Sequence, residues 1–436
     1  MADVSAAPGS RVSRRTVTDT AWAMFGLGGP TLLQLLYVIA AARGLGAEQF
    51  GQLMLCVAVA TVAGCVVGIG GDGVAFKAIA RTQEAANSLF GMALTMILIT
   101  AVPVAICAVL LAVWLQRFDI PLWLPVAIVV SEVLFNRIAS ACQKVFIAFS
   151  QQLKAALVGM FVPLARLASA AIVLLMSPDD ALGTFATAYL VSTFVAMVAC
   201  ILYTVVNAAR PKFGFSGMKL GEGVSFALLW VNASLQVEAD KMILSYFATP
   251  AAVGVYSLAS RLMDGAFNPP RALRISLQAR MMREGAKGHS ATYRFMLRIL
   301  PISVAYGIFA WGAIAVISPM LVRLFGEEYA ELGRILPLMG ALPLLRSIAD
   351  IGAELFIASD RVSLSTIVHI VSTALRISIG IMLIRSDGID GAVGAALLST
   401  TLAAIIFWTI AVVMHRKGAA GRQGTTAQPP DDQSHI

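Results

Sequence analysis

Charged and amide side chains cluster within a long apolar stretch of this sequence. The stretch FALLWVNASLQVEADKMILSYF, residues 226–247, carries Asn232, Gln236, Glu238, Asp240 and Lys241. At roughly 100° per residue of an α-helix, Asn232, Gln236 and Asp240 fall within an arc of about 80°. Glu238 and Lys241 are three residues apart and can pair with each other. Asp240 points elsewhere and needs a partner on another helix or in water.

The next apolar stretch, residues 251–279, predicts a helix with one polar wall. Five polar residues share an arc of about 80°, and they are Ser257, Arg261, Asp264, Asn268 and Arg271. The pair Pro269–Pro270 is expected to kink or break this helix. Such a break is tolerated inside a membrane only where the freed carbonyls find partners or water.

Further stretches repeat this pattern of polar stripes. Arg346, Asp350 and Glu354 are successive i, i+4 neighbours, and His369 and Arg376 lie on one face of a later stretch. Glu132, Asn136, Ser140 and Gln143 share a face of an earlier one, and Arg166 stands alone in the stretch after it. These groups either pair between helices as structural ion pairs or line a shared aqueous cavity. Because intramembrane Arg and Lys outnumber the acids, the cavity is predicted to be net cationic.

Composition places these stripes in a membrane. The chain is 58% hydrophobic and 13% charged, whereas a soluble domain has roughly 25% charged residues. Its mean hydropathy is +0.83. Apolar runs of about 20 residues, enough to cross a bilayer, recur along most of its length. The net charge of +8 is explained by basic loops that face anionic lipid, so no nucleic-acid partner is expected.

The sequence predicts an all-α polytopic protein of about twelve transmembrane helices. The organisation expected is a basic segment 1–17, a six-helix bundle 18–206, a linker 207–221, a second bundle 222–414 and a disordered tail 415–436. The spans are placed at about 18–42, 49–70, 88–114, 121–142, 155–176, 182–206, 222–247, 251–279, 294–321, 332–358, 362–384 and 390–414.

The basic residues orient the chain. With the N-terminus in the cytoplasm, eighteen Lys and Arg fall in cytoplasmic segments and five on the other side. This asymmetry is the positive-inside pattern. Both termini are therefore predicted to be cytoplasmic.

A short internal repeat links the two predicted bundles. AEQFGQL at 47–53 and PAAVGVY at 250–256 each join the first span of a six-span half to the second. In both segments a hydrophobic residue precedes a glycine, Gly51 or Gly254. The repeat indicates two parallel halves about an axis along the membrane normal, with the binding site between them near the midplane.

Two segments resemble the polysaccharide and O-antigen flippases. YVIAAARGLGAEQFGQLMLCVAVATVAGCVVGIGGDG resembles their opening hairpin, and EADKMILSYFATPAAVGVYSLASRLMD resembles the start of their second half. The resemblance implies a MATE-like inverted-V fold and transport of undecaprenyl-diphosphate-linked oligosaccharide across the bacterial inner membrane. It also implies that a polysaccharide polymerase and glycosyltransferases are partners. The family pattern places Asp240, Gly254, Tyr256 and Ala259 on this chain, with Arg43 in the first hairpin.

The polar stripes then receive expected roles. Arginine binds diphosphate oxygens with its planar fork, and a polar cavity removes the cost of carrying sugar hydroxyls through hydrocarbon. The residues expected to contact the headgroup are Arg43, Asn232, Gln236, Lys241, Arg261, Asn268, Arg271 and Arg346. Those expected to gate the cavity or bind a coupling ion are Asp240, Asp264, Asp350 and Glu354.

The residues leave several alternatives open to comparison. A cation- or proton-coupled multidrug antiporter of the same fold would favour an acidic cavity. A polymerase, ligase or glycosyltransferase would need a large outward loop, and the longest one predicted is near 322–331. An ion channel would need a filter or pore ring, and none is visible. The segment GIGGDG follows no strand and lacks the Lys-Ser/Thr of a nucleotide-binding loop, so it indicates helix packing. His369 suits proton coupling or packing equally.

No cofactor or metal is expected. The five cysteines, at 56, 65, 107, 142 and 200, all fall within predicted spans, and none has metal-binding spacing. No outward loop holds two of them, so no disulfide is expected either.

Overall fold

The computed structural model describes residues 14–116, 120–285, 288–359 and 361–425, and within these ranges it consists of helices and their connections without a strand. Eight of the helices are apolar and long enough to cross a membrane. Two of those eight contain a break, at Gly46 and Gly388, so each forms two arms. The helices Leu220–Phe247 and Pro250–Gly285 carry the polar clusters and add two more. The described chain therefore has twelve helical arms, as predicted.

We number these arms in chain order. Gly46 (φ +72°) divides the helix Arg14–Gly64 into α1 (14–45) and α2 (47–64), and Gly388 (φ +56°) divides Val362–Thr425 into α11 (362–387) and α12 (389–425). The remaining eight are α3 Ala86–Leu115, α4 Trp123–Ala148, α5 Gln152–Met176, α6 Ala181–Asn207, α7 Leu220–Phe247, α8 Pro250–Gly285, α9 His289–Phe325 and α10 Leu332–Ala358.

The arms form two halves, α1–α6 (the N-half) and α7–α12 (the C-half). Since six helices return a chain to the side on which it started, both ends of the described chain lie on one side of the membrane. We call that side the terminal side and the other the opposite side. Large apolar side chains face outward at helical spacing, for example Val102, Ile106 and Leu110 of α3. Such a face suits lipid and would be unfavourable in water.

The two halves cross at the predicted repeat. A β-carbon on Gly51 of α2 would overlap the carbonyl oxygen of Pro250, and one on Gly254 of α8 would overlap that of Ala47. The two contacts are related by a single shift of 203 residues (250 − 47 and 254 − 51). Because only glycine permits this backbone approach, the repeat noted in the sequence is the contact between the halves on the opposite side. The parallel two-fold relation is confirmed.

Replacing either crossing glycine by alanine is expected to lower the melting temperature, since the helices must separate to admit a methyl group. Overpacking of this kind costs about 1–3 kcal/mol. The check is thermal unfolding of Gly51→Ala and Gly254→Ala in detergent. Gly312→Ala of α9 is the matched control, because no atom lies within 4 Å of its added carbon. Equal melting temperatures for all three variants would contradict the tight crossing.

The GIGG segment ends α2 earlier than expected. The helix stops at Gly64, and residues Val67–Gly70 form a distorted turn before a short helix, Gly71–Arg81. The prediction that the second span continues to residue 70 is therefore wrong. Gly68 and Gly70 have positive φ, and a β-carbon on Gly70 would overlap the carbonyl oxygen of Gly223 at the start of α7. These glycines allow the turn to form and allow a close contact between the halves on the terminal side.

The helix α8 continues through both prolines, so it does not break there, and the expectation of a kink stays a prediction. Pro270 has no N–H for the carbonyl of Ala266, four residues earlier. The hydroxyl of Tyr306 on α9 donates to that carbonyl over 2.8 Å. The freed acceptor therefore has a partner, which is the condition under which a membrane helix tolerates proline.

Tyr306→Phe is expected to destabilise the protein by about 1–3 kcal/mol, because it leaves the Ala266 carbonyl unpaired. In a Pro270→Ala background the backbone N–H returns, and the same substitution should cost much less. A double-mutant cycle on melting temperature measures this difference. Equal costs in both backgrounds would show that the hydroxyl does not serve the proline.

The chain ends and the linker differ slightly from expectation. The linker between the halves spans 208–219, close to the predicted 207–221. The helix α12 continues to Thr425, beyond the predicted end at 414. The predicted tail beyond 425 and the predicted basic segment before residue 14 lie outside the described residues.

Candidate functional site

A cavity of about 420 Å³ lies between the two halves. Its N-half wall is formed by α1 and α5, and its C-half wall by α7, α8 and α10. The polar residues that line it are Thr31, Gln34, Arg261, Asp264, Asn268, Arg271 and Arg346. Four members of the predicted α8 stripe thus face one cavity. We call it the central cavity.

Guanidinium groups dominate the charge of the central cavity. Arg261, Arg271 and Arg346 line it, and Asp264 is the acid among its lining residues. Arg346 lies 3.2 Å from Asp264, and Arg261 lies 3.9 Å from the same carboxylate. The side chain of Arg346 is 42% exposed, so it is held by one partly solvated pair and remains accessible. One acid against three guanidiniums leaves a cavity that attracts anions.

Lys241 does not reach this cavity. Its side chain is fully buried, and its ammonium lies 2.6 Å from Glu238. The other oxygen of Glu238 accepts from Arg261 over 3.2 Å. The predicted pairing of Glu238 with Lys241 is confirmed, and the pair holds Arg261 at the cavity wall rather than offering a second free cation.

A second, smaller cavity of about 120 Å³ lies inside the C-half among α7, α8, α10, α11 and α12. We call it the C-half chamber. It shares Val237, Asp264, Phe267 and Arg346 with the central cavity. The guanidinium of Arg346 lies 4.5 Å from the ring centre of Phe267. The Arg346–Asp264 pair and this ring therefore form the partition between the two cavities.

Asp240 is held inside the C-half by two neighbours. Arg376 of α11 forms a bidentate pair with its carboxylate, and the hydroxyl of Tyr256 donates to it over 2.7 Å. Asp240 is 1% exposed. The sequence left two alternatives open, a structural ion pair or a group that lines a cavity. In this conformation Asp240 forms the ion pair.

The N-half contains a corresponding triad. Arg166 of α5 lies 2.6 Å from Glu132 of α4, and Tyr189 of α6 donates to the same carboxylate. Arg166 and Arg376 occupy the fifth helix of their halves, at equal distance from its start (166 − 152 and 376 − 362). Each half thus buries one carboxylate under an arginine from its fifth helix and a tyrosine hydroxyl.

Asp350 and Glu354 share one arginine. Arg274 of α8 lies 3.2 Å from Asp350 and 3.5 Å from Glu354. Asp350 also lines the C-half chamber, together with Gln236 and His369. The amide of Gln236 contacts the ring and the backbone carbonyl of His369.

Two predicted contact residues lie away from both cavities. Arg43 is exposed at the turn between α1 and α2, on the opposite side. Asn232 is half-buried on α7 but is not among the residues that line either cavity. In this conformation neither side chain belongs to the site.

Sequence reasoning missed residues on the N-half wall and one arginine of α8. Gln34 lines the central cavity and accepts from Arg166 over 3.2 Å. Gln34 is a lone amide within the apolar run TLLQLLYV, and this isolated polar residue is the sequence signal that could have identified it. Arg274 is the partner of Asp350 and Glu354, and this pairing across the bundle is not encoded in local spacing.

The opposite side of the central cavity is closed. Besides the glycine crossing, the backbone N–H of Ala47 donates to Glu328 over 2.9 Å, and the Tyr329 hydroxyl donates to the Ala42 carbonyl over 3.0 Å. These bonds tie the turn between α9 and α10 to the turn between α1 and α2. The cavity instead extends along α8 towards the exposed Arg271, nearer the terminal side.

An ionic cluster joins the halves on the terminal side. Buried Asp72 lies 3.2 Å from Arg137 and 2.5 Å from Lys144, both of α4. The Lys144 ammonium lies 4.0 Å from the ring centre of Trp230 on α7. Lys77 pairs with Glu222 across the same boundary. The boundary between the helix Gly71–Arg81 and α7 is therefore closed at this end.

Solved structures with this architecture are membrane transporters. The chain matches a multidrug resistance MATE family transporter of the MOP superfamily in an inward-facing conformation, with a TM-score of 0.73, 15% identity, and coverage of 91% of this chain and 98% of that one. It matches the lipid II flippase MurJ, inward closed, with a TM-score of 0.72, 11% identity, and coverage of 90% and 86%. An outward-facing MATE family transporter matches with a TM-score of 0.60 and 15% identity, over 92% and 95%. The likeness shows that this chain has the multi-pass helical fold of these membrane proteins.

The family follows from the sequence itself. The model of the family described as polysaccharide biosynthesis protein matches residues 17–265, more than half of the chain. The chain therefore belongs to that family, and the expected MATE-like fold is confirmed. No curated protein is significantly similar to it.

Proposed function

We propose that this protein flips an undecaprenyl-diphosphate-linked oligosaccharide from the cytoplasmic to the outer leaflet of the bacterial inner membrane. The observation that carries the proposal is the central cavity, where three guanidiniums face one acid between the two halves. Arginine binds phosphate oxygens through paired hydrogen bonds. The family description and the likeness to a lipid II flippase support the same substrate class.

Arg261, Arg271 and Arg346 are assigned to the diphosphate, and Asn268 and Gln236 to polar groups beside it. Asp264 serves as the gating acid, because it holds Arg346 when the cavity is empty. Asp240, Asp350 and Glu354 already have arginine partners, so they are assigned to structural ion pairs between helices. Lys241 pairs with Glu238, which in turn positions Arg261. Arg43 and Asn232 are assigned to contacts in the other conformation of the cycle.

We infer that the conformation described belongs to the inward part of the cycle and that the cavity is reached along α8, since the ionic cluster around Asp72 closes the boundary with α7. If the terminal side is cytoplasmic, the closed opposite side and the exposed Arg271 orient the cavity towards the inner leaflet. An inward-facing transporter (TM-score 0.73) and an inward closed flippase (0.72) match the chain about equally. Rocking of the halves then presents the headgroup outward.

The energetics favour this direction of transport. An inside-negative potential drives an anion outward, and this movement releases about 2.3 kcal/mol per charge per 100 mV. The prenyl chain stays in the bilayer, so only the diphosphate and sugars need a polar path. Glycosyltransferases would supply the substrate on the cytoplasmic face, and a polymerase would consume it outside.

The test is headgroup accessibility in proteoliposomes that contain the purified protein and a fluorescent undecaprenyl-diphosphate oligosaccharide. Protein-dependent transfer between leaflets is the expected result. If no ion gradient or potential supports transfer, and a cationic dye is expelled instead, the protein is a multidrug antiporter. Dye transport requires an acidic binding surface, which the cationic cavity does not offer.

A further inference from the structure

The C-half chamber is built for a neutral ligand. Its wall contains Asp264, Asp350, Arg346 and Arg376, and each of these four has an oppositely charged partner within 3.2 Å. A free ion entering the chamber would have to break one of these pairs, at the cost of leaving a charge unpaired. A neutral group with hydroxyls can hydrogen-bond to the same atoms without that cost.

Hydroxyl and ring surfaces complete the wall. Ser372 of α11 is buried, and its Oγ has no hydrogen-bond partner among the residues that the structure describes. Ser399 and Thr400 of α12 line the chamber and donate to their own helix, so their oxygens can still accept. Phe267 and Phe407 add flat apolar faces. One unpaired hydroxyl and two that can still accept, beside aromatic rings, suit the polar edge and apolar face of a sugar.

The size of the chamber limits its occupant. At about 120 Å³ it is well below the roughly 300–1,000 Å³ of sites for drug-sized ligands. It therefore admits a single ring rather than an oligosaccharide or a drug. The partition is shared with the central cavity, so a ring bonded to a diphosphate in the central cavity would lie next to the chamber.

We propose that the C-half chamber is a subsite for one neutral sugar ring of the lipid-linked oligosaccharide, and that Arg346 controls entry to it. The inference rests on the proposed function of the central cavity. A diphosphate competes with Asp264 for the Arg346 guanidinium. When Arg346 turns to the phosphates, the partition opens, and the freed Asp264 carboxylate accepts hydrogen bonds from the sugar. Binding of the diphosphate headgroup thus opens the subsite that contacts the sugar ring.

The experiment compares two lipids on the full-length protein in nanodiscs. One is bare undecaprenyl diphosphate, and the other is the lipid-linked oligosaccharide extracted from cells of the native host that lack this protein. Dissociation constants are measured for the wild type and for three variants. Ser372→Leu fills the chamber, Ser372→Ala removes only the hydroxyl, and Ser365→Ala is the matched control. Ser365 is also a buried serine of α11 with an unpartnered hydroxyl, but it lies outside the chamber.

The wild type is expected to bind the sugar-bearing lipid about tenfold tighter than the bare one, as one or two net hydrogen bonds would give. Ser372→Leu should reduce this ratio to less than about twofold, with bare diphosphate binding unchanged, and Ser372→Ala should give an intermediate ratio. Ser365→Ala should keep the wild-type ratio. The alanine variants keep the test valid if Ser372→Leu does not fold.

Three results would overturn the subsite. They are equal binding of the two lipids by the wild type, an unchanged ratio in both Ser372 variants, and a change of sodium or proton dependence in those variants without a change of ratio. Failure of both lipids to bind the wild type would instead overturn the proposed function. The bare lipid therefore separates the two failures.

Discussion

Arg346→Gln is expected to slow lipid transfer by roughly ten- to a hundredfold, because it removes a charge-assisted contact to phosphate that contributes about 1.5–3 kcal/mol. Arg346 is suited to this test because its pair with Asp264 is partly exposed, at 42% and 34% of the two side chains. The substitution therefore removes a cavity charge without leaving a deeply buried acid. The measurement is the initial rate of headgroup transfer in proteoliposomes.

The matched control for this variant is Arg334→Gln. Arg334 is also an arginine of α10 in an exposed pair, with Asp390, but it lies on the opposite rim away from both cavities. Its transfer rate should remain within about twofold of the wild type, since exposed pairs contribute about 0–1 kcal/mol. Equal rates for Arg346→Gln and the wild type would remove Arg346 from the headgroup site.

Arg376→Met is expected to lower the free energy of unfolding by about 3–5 kcal/mol, because it leaves the buried carboxylate of Asp240 without its cation. The Tyr256 hydroxyl would remain as a partner but carries no charge. The melting temperature of the purified protein in detergent is the measurement. Arg334→Met serves as the control, and its melting temperature should change little.

The double variant Arg376→Met with Asp240→Asn distinguishes structure from coupling. Removing both charges of a buried pair is often close to neutral for stability. If Asp240 is structural, the double variant should recover most of the melting temperature and should transfer bare undecaprenyl diphosphate, which does not enter the C-half chamber, at a rate near that of the wild type. A stable double variant without transfer would return Asp240 to the coupling role suggested by the sequence.

These two predictions divide the intramembrane charges into two groups. Arg261, Arg271 and Arg346 border the central cavity. Asp240 with Arg376 and Glu132 with Arg166 are instead buried within single halves. A pair buried within one half keeps its geometry while the halves rock against each other, whereas a group between the halves changes its surroundings during the cycle. We therefore expect transport to depend on the first group and folding on the second.

The sequence predicted the class of this protein and the wall of its site. Apolar runs of membrane length fixed the helix count, since a bilayer leaves few other solutions for such segments. The α8 stripe from Arg261 to Arg271 was predicted from helical spacing, because residues at i, i+3 and i+4 share a face in any α-helix. The pairing of Glu238 with Lys241 followed from the same spacing rule. The glycine repeat at 51 and 254 followed from the similarity of two short segments of the sequence.

Tertiary structure decided which charges remain available. Lys241, Arg261 and Arg346 look equivalent in the sequence, yet Lys241 is fully buried and Arg346 is 42% exposed. Which helix supplies a partner depends on the packing of the bundle, and one residue's local spacing carries no record of it. The same holds for Arg274, which takes both Asp350 and Glu354, and for the chamber behind Arg346. Local periodicity determined the faces of the helices, and only their packing decided what each face meets.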